Sequence, residues 1–249
     1  WLPRGIWFDL PTGRRYEALT DNGRSLVLSR PLDRVPVLAR AGSVVVTAGD
    51  IGEAAGDNPR SLSVLVVPGA DGEFVLEEDD DSPEPGADAV VRTRFPLAWD
   101  EAGGARDGAG GRARGTARLT IEQTGPDGVV PAEREVTVRL LSAGGARLRA
   151  NSSGAGGAQR EPVIARREAD GFALGAGTDI ALGTVRPADG VELFLAGVRT
   201  EPPSTADEIL SILEPVRIAY ETKDAAWRVV ASGARGGALL GGLRAAGLP

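Results

Sequence analysis

From Gly5 to Glu77 the chain runs in short apolar stretches, interrupted about every ten residues by turn formers such as glycine, proline and asparagine. That rhythm constrains the fold more than any other feature. Stretches this short cannot bury one stripe of a helix, but they suit strands of a sandwich or barrel. Gly5–Asp9, Leu26–Leu28, Arg34–Ala39 and Ser43–Thr47 are expected strands. Ser61–Val67 is apolar at both alternating sets of positions, which predicts a central strand covered on both faces. Pro68–Gly72 is a strong turn signal, so Glu73–Glu77 is expected to return as the hairpin partner of that strand.

The acidic stretch Glu77–Asp81 and the following Ser82-Pro83-Glu84-Pro85-Gly86 read as a hinge, and a domain boundary is expected between residues 81 and 82. Beyond it, strands are expected at Ala89–Phe95, Thr116–Gln123, Arg134–Leu141, Pro162–Arg167, Gly171–Leu174, Thr178–Val185 and Val191–Leu195. Asp50–Pro59, Gly103–Gly115 and Asn151–Gly157 read as loops with little to bury. The pattern changes after Pro203. Thr205-Ala206-Asp207-Glu208 fits a capping box, and Ile209, Ile212 and Leu213 then share one helical face until Pro215. A last strand is expected at Val216–Tyr220, and further helices at Thr222–Ala231 and Leu239–Leu248. The expected fold class is mainly β: two antiparallel β-sandwich domains, residues 1–81 and 82–249, with a few short helices toward the C-terminus.

What the chain lacks narrows its chemistry. It has no cysteine, hence no disulfide framework, thiolate nucleophile or zinc-thiolate site. It has no histidine, which removes the usual general base, the Ser-His and Cys-His pairs and imidazole ligands. Carboxylates remain, and a carboxylate pair can hydrolyse a glycoside. The net charge of −7, with no basic stripe, argues against nucleic acid as a partner. No apolar run approaches the length of a membrane span. Lys223 is the only lysine, and the abundance of Arg, Ala and Gly suggests a GC-rich bacterial coding sequence. A cytoplasmic bacterial parent is the expectation.

Three features invite a functional reading. Glu77–Asp81 could gather a hard cation such as calcium, but five adjacent carboxylates cannot all face one ion. A solvated connection at a hairpin end is the expected reading, and no metal site is assigned. Trp1, Trp7, Phe8 and Tyr16 could form a sugar-stacking platform, but strand aromatics usually pack. Asn151-Ser152-Ser153 matches the N-glycosylation pattern, a match short enough to arise by chance. No phosphate-binding loop or dinucleotide fingerprint occurs, and no cofactor is expected.

The first eighty residues do resemble a known family. Leu2-Pro3-x-Gly5-x-Trp7-x-Asp9 with Thr12-Gly13, then Val35-Pro36-Val37-x-x-Arg40-Ala41-Gly42-Ser43, then Val67-Pro68-Gly69-x-Asp71-Gly72-x-Phe74-x-Leu76 and Glu78-Asp79-Asp80 occur in order and at the right spacing. This series resembles the segments that follow the catalytic barrel in glycoside hydrolase family 31, the α-glucosidases and α-xylosidases. Glu77 stands where that family usually has an aromatic residue, and Asp81 where it usually has glycine. Past residue 82 the resemblance covers Thr116–Gln123 and Arg134–Leu141, which are similar to the distal sandwich, and loosely the tail from Ile180.

The resemblance implies a C-terminal accessory region: a proximal sandwich truncated at its N-terminus and a distal sandwich, both bracing a barrel that this sequence does not include. The family's catalytic motif, Trp-x-Asp-Met-Asn-Glu, is absent, and the chain has no methionine. No catalytic residue is therefore expected in it. The implied partners are the barrel of an α-glucosidase-type parent and a second copy of the chain joined through an exposed edge. The alternative is a carbohydrate-binding module in the distal domain, with Trp99 and Trp227 as candidate sugar contacts.

Overall fold

In a computed structural model, the strands among the described residues form three sheets. The structure describes residues 1–28, 30, 35–49, 58–80, 89–101, 114–141, 149–154, 159–167, 176–200, 205–214 and 216–248. The expected loops at 50–57 and 103–113, the hinge at 82–86, the strand at 171–174, and the side chains of Asp207 and Glu208 lie outside the described set.

The strands are β1 (Gly5–Asp9), β2 (Arg15–Ala18), β3 (Leu38–Arg40), β4 (Val44–Ala48), β5 (Ser61–Val66), β6 (Gly72–Glu78) and β7 (Val91–Glu101). They continue with β8 (Arg114–Thr124), β9 (Arg134–Leu141), β10 (Arg149–Gly154), β11 (Gln159–Arg160), β12 (Val163–Arg167), β13 (Gly177–Val185) and β14 (Val191–Arg199). Three helices follow: α1 (Thr205–Leu213), α2 (Tyr220–Ala231) and α3 (Gly236–Ala245). A small sheet has the order β2-β1-β3. The others run β11-β10-β14-β8-β7-β6 and β12-β13-β9-β5-β4. Among the described strands every pairing is antiparallel except β5 with β9.

The two larger sheets face each other across one core. β4 and β5 contribute Val44, Leu62, Val64 and Val66. β9 and β13 contribute Val136, Val138, Leu140 and Ile180, opposed by Phe95, Leu97, Leu119, Ile121, Leu193 and Leu195 from β7, β8 and β14. Burying side chains of this size stabilises the fold by about 1.5–3 kcal/mol each. The opposite face of β5 is also covered. Leu65, Val67 and Leu141 pack with Phe8 and Ala41, supported by Ile6, Leu10 and Ala39. This second core explains why Ser61–Val67 is apolar at every other position on both sides.

Two expectations are corrected by the strand partners. Glu73–Glu77 is not the hairpin partner of Ser61–Val67. β5 pairs with β4 and β9, whereas β6 pairs with β7 in the other sheet. The Pro68–Gly72 turn therefore carries the chain from one layer of the sandwich to the other. For the same reason residues 81 and 82 do not separate two sandwiches, because both sheets combine strands from either side of that point. The chain divides instead into one unit of Trp1–Leu26 with Pro36–Pro202, and a second of Val27–Val35 with Pro203–Pro249.

Other differences are local. Leu26–Leu28 forms no strand; an isolated bridge joins Leu2 to Arg24 nearby. Residues 151–154, read as loop, form β10, with Asn151 opposite Phe194. β7 continues through Pro96, where the expected strand stopped. Its ladder with β8 keeps one register from Arg94–Glu122 to Leu97–Leu119 but lacks the rungs at Phe95 and Pro96, where the proline has no N–H to donate. Val216–Tyr220 is not a strand, and α2 starts at Tyr220.

Within the second unit the helices pack on Leu213, Ala226 and Val230. A Cβ on Gly242 would lie 2.5 Å from a methyl of Val229, so α3 approaches α2 closely at that glycine. Lys223 Nζ donates to the Glu214 carbonyl at 2.8 Å, satisfying one of the carbonyls that the end of α1 leaves open. No helix among the described residues is long and apolar enough to cross a membrane.

Candidate functional site

The sequence leaves carboxylates and guanidiniums as the chief polar chemistry, and one end of the sandwich concentrates them. The end of β6, the start of β9, the residues before β5, the 128–132 turn and the β13–β14 connection converge there on a cavity of about 840 Å³. Asn58, Arg60, Asp79, Asp80, Glu133 and Arg186 supply its side-chain polarity.

Two sets of contacts fix this end. Arg134, fully buried at the start of β9, donates through both terminal nitrogens to Glu78 at the end of β6, each bond 2.8 Å long. The pair ties the two sheets together. The residues next to it in sequence, Glu133 and Asp79, line the cavity. Asn58 Nδ2 donates to the carbonyls of Asp79 at 2.8 Å and Val129 at 3.0 Å, joining three segments through one amide. At the mouth, Arg186 Nε donates to Glu133 Oε1 at 2.9 Å, with both side chains more than half exposed. Among the described residues no group of three acidic side chains could hold a metal ion.

The acidic stretch therefore divides by position. Glu77 faces solvent and pairs with Arg92, Glu78 is buried against Arg134, and Asp79 and Asp80 line the cavity. Asp81 lies outside the described residues. Reading the stretch as solvated throughout missed Glu78. β-strand alternation carried past Leu76 places Glu78 on the inward face with Phe74 and Leu76, and that was the available signal.

The tryptophans lie elsewhere. Trp99 is partly buried against the sandwich core, and a Cβ on Gly115 would come within 2.5 Å of its ring. Trp227 lies on α2 in the second unit, 36% exposed. Of the N-terminal aromatics, Phe8 is in the second core and Tyr16 is buried, with Arg14 over its ring. Trp7 Nε1 donates to the Pro3 carbonyl at 3.0 Å. Trp1 is 72% exposed, with Nε1 held by the Asn22 carbonyl at 2.9 Å.

The motif residues of the first eighty positions meet one another. Gly42 and Gly72 sit back to back: a Cβ on Gly72 would lie 1.8 Å from the Gly42 carbonyl oxygen, and one on Gly42 2.3 Å from that of Asp71. Gly42 also has a φ of +86°, which favours glycine. Asp71 Oδ1 accepts the Trp99 backbone N–H at 2.6 Å. Asp9 is fully buried, its carboxylate receives the Thr12 hydroxyl, and its carbonyl accepts the Gly13 N–H at 2.7 Å. A Cβ on Gly5 would touch the Arg40 guanidinium at 3.0 Å.

This architecture can be set beside solved proteins. No protein-family model matches the sequence. The Flavobacterium johnsoniae GH31 dextranase matches in structure with a TM-score of 0.55 and 13% identity, over 79% of this chain and 24% of the dextranase. The chain shares its fold with a region of GH31 glycoside hydrolases. The GH31 α-xylosidase of Xanthomonas citri is 32% identical over 56% of this chain and 14% of its own, with a TM-score of 0.41. The glucosidase II α subunit matches at 15% identity and a TM-score of 0.49, over 78% of this chain and 21% of its own. The chain spans less than a quarter of the length of these GH31 proteins. The described residues form sheets and three helices, with no alternation of parallel strands and helices that would make a catalytic barrel.

Proposed function

We propose that this chain is a non-catalytic accessory region of a family 31 glycoside hydrolase, and that it braces the catalytic barrel of an α-glucosidase-type parent. One observation carries the reading: the glycines and aspartates at the turns of the resembling segments are committed to folding. Gly42 and Gly72 allow two turns to touch, Asp71 holds the start of Trp99, and Asp9 closes the Leu10–Gly13 turn. None of these interactions leaves a side chain arranged for bond cleavage.

An independent carboxylate enzyme has less support. Retaining or inverting hydrolysis needs one carboxyl to give a proton while the other attacks or activates water. Glu78 has both oxygens bound to Arg134, and Glu133 is more than half exposed and paired with Arg186. The experiment that tests the bracing role is the sequence encoded immediately before Trp1. The proposal expects a (β/α)8 barrel there with its own Asp nucleophile and Asp acid/base. An unrelated upstream sequence would sink it.

A further inference from the structure

Inside the sandwich, next to the Glu78–Arg134 pair, the apolar core gives way to a polar layer. Strand register places its members. Phe74 stands opposite Phe95, and one step along the same strands Leu76 stands opposite Thr93 and Thr93 opposite Gln123. Alternation puts Thr93 and Gln123 on the core-facing side that carries Phe95, Leu119 and Ile121. Glu78, two residues beyond Leu76, shares that side, and Arg134 reaches it from the facing sheet.

Three polar atoms of this layer are shielded from solvent and have no hydrogen-bond partner in the protein: Arg134 Nε, Thr93 Oγ1 and Gln123 Oε1. Arg134 and Thr93 are fully buried. Buried polar groups are nearly always satisfied, so three orphans on adjoining strands call for an occupant. We propose that the layer binds one internal water molecule that bridges these three atoms.

The chemistry of the three atoms selects water. Arg134 Nε can only donate, Gln123 Oε1 can only accept, and the Thr93 hydroxyl does either. The occupant must therefore accept one hydrogen bond and donate another. An anion could accept from Arg134, but it has no proton for Gln123 and would stand beside the Glu78 carboxylate. A metal cation would suit the two oxygens but not the N–H of a guanidinium. An apolar group would satisfy none of them. Water offers two donors and two acceptors and makes about three hydrogen bonds in buried sites.

The site is set in advance. The two bonds from Arg134 to Glu78 fix the plane of the guanidinium, and with it the direction in which Nε–H points. The water extends that ion pair to Thr93 on β7 and Gln123 on β8, so a single hydrogen-bonded layer spans both sheets. This inference does not depend on the bracing role, and either can fail without the other.

The test is a high-resolution crystal structure of the 249-residue chain together with NMR of the Arg134 side chain. The expected result is one ordered water within hydrogen-bond distance of all three atoms. The Arg134 Nε–H should also show a cross-peak to water with the sign of a long-lived bound molecule. Thr93→Ser keeps the hydroxyl and should retain that cross-peak, whereas Thr93→Val combined with Gln123→Leu should abolish it. Density for an ion at the site would overturn the proposal, as would Arg134 Nε bonded to a protein group with no water beside it. A cross-peak that survives the double substitution would also overturn it. The measurements on the unsubstituted chain decide the matter even if the double variant does not fold.

Discussion

Arg134 and Glu78, 56 residues apart in sequence, meet in a buried bidentate ion pair that joins the two sheets of the sandwich. The side chains are 0% and 5% exposed, so neither charge has water to fall back on. Removing one partner strands the other, at a cost of about 3–5 kcal/mol. Glu78→Ala should therefore lower the urea midpoint sharply. Glu77→Ala, one residue earlier in an exposed pair with Arg92, should change stability by about 0.5 kcal/mol or less. Replacing both buried partners, Glu78→Leu with Arg134→Met, should recover most of the loss. If Glu78→Ala unfolds no more easily than Glu77→Ala, the pair does not clamp the sheets.

The contact between Gly42 and Gly72 makes a second, steric prediction. A methyl group on Gly72 has no flexible side chain to displace, only the Gly42 carbonyl 1.8 Å away. Gly72→Ala should destabilise the chain by about 3 kcal/mol, read as a lower urea midpoint with an unchanged slope. Gly128→Ala, where no atom lies within 4 Å, tests the contribution of left-handed φ alone and should cost less.

The edge strand β12 gives the expected second copy of the chain a testable place to pair. It closes one side of its sheet, with Val163 70% and Ile164 40% exposed. An apolar edge of this kind is a template for another strand. β1 is the centre of its own sheet rather than an edge, whereas β12 ends the order of its sheet among the described strands, so the prediction of a second copy joined through an exposed edge is set on β12. Light scattering should show concentration-dependent dimers, and Val163→Lys should shift them to monomer. A monomer at every concentration would remove the dimer from the account.

Where sequence and structure agree, the reason is local. Arg134–Leu141 alternates cleanly, and β9 occupies those residues. Thr205–Leu213 carries a helical stripe bounded by Pro215, and α1 spans that range. What could not be read was pairing between distant segments. Pro68–Gly72 has the chemistry of a hairpin turn, and nothing in it reveals that β5 pairs with β9 and β6 with β7 instead of with each other. Asn151–Gly154 has no apolar alternation; it becomes a strand because β14 offers a ladder beside it. The cavity was illegible for the same reason, since Asn58, Asp80, Glu133 and Arg186 come from four separate connections. Trp99 and Trp227 drew attention as single large residues, yet the first is partly buried against the sandwich core and the second lies in the other unit.

The central claim is that this chain performs no glycoside hydrolysis itself. Its most direct test is the rate at which the pure 249-residue chain releases p-nitrophenol from p-nitrophenyl α-glucoside. The account predicts a rate indistinguishable from buffer. Turnover that copurifies with the chain and is abolished by Asp80→Asn or Glu133→Gln would contradict it and make the cavity an active site.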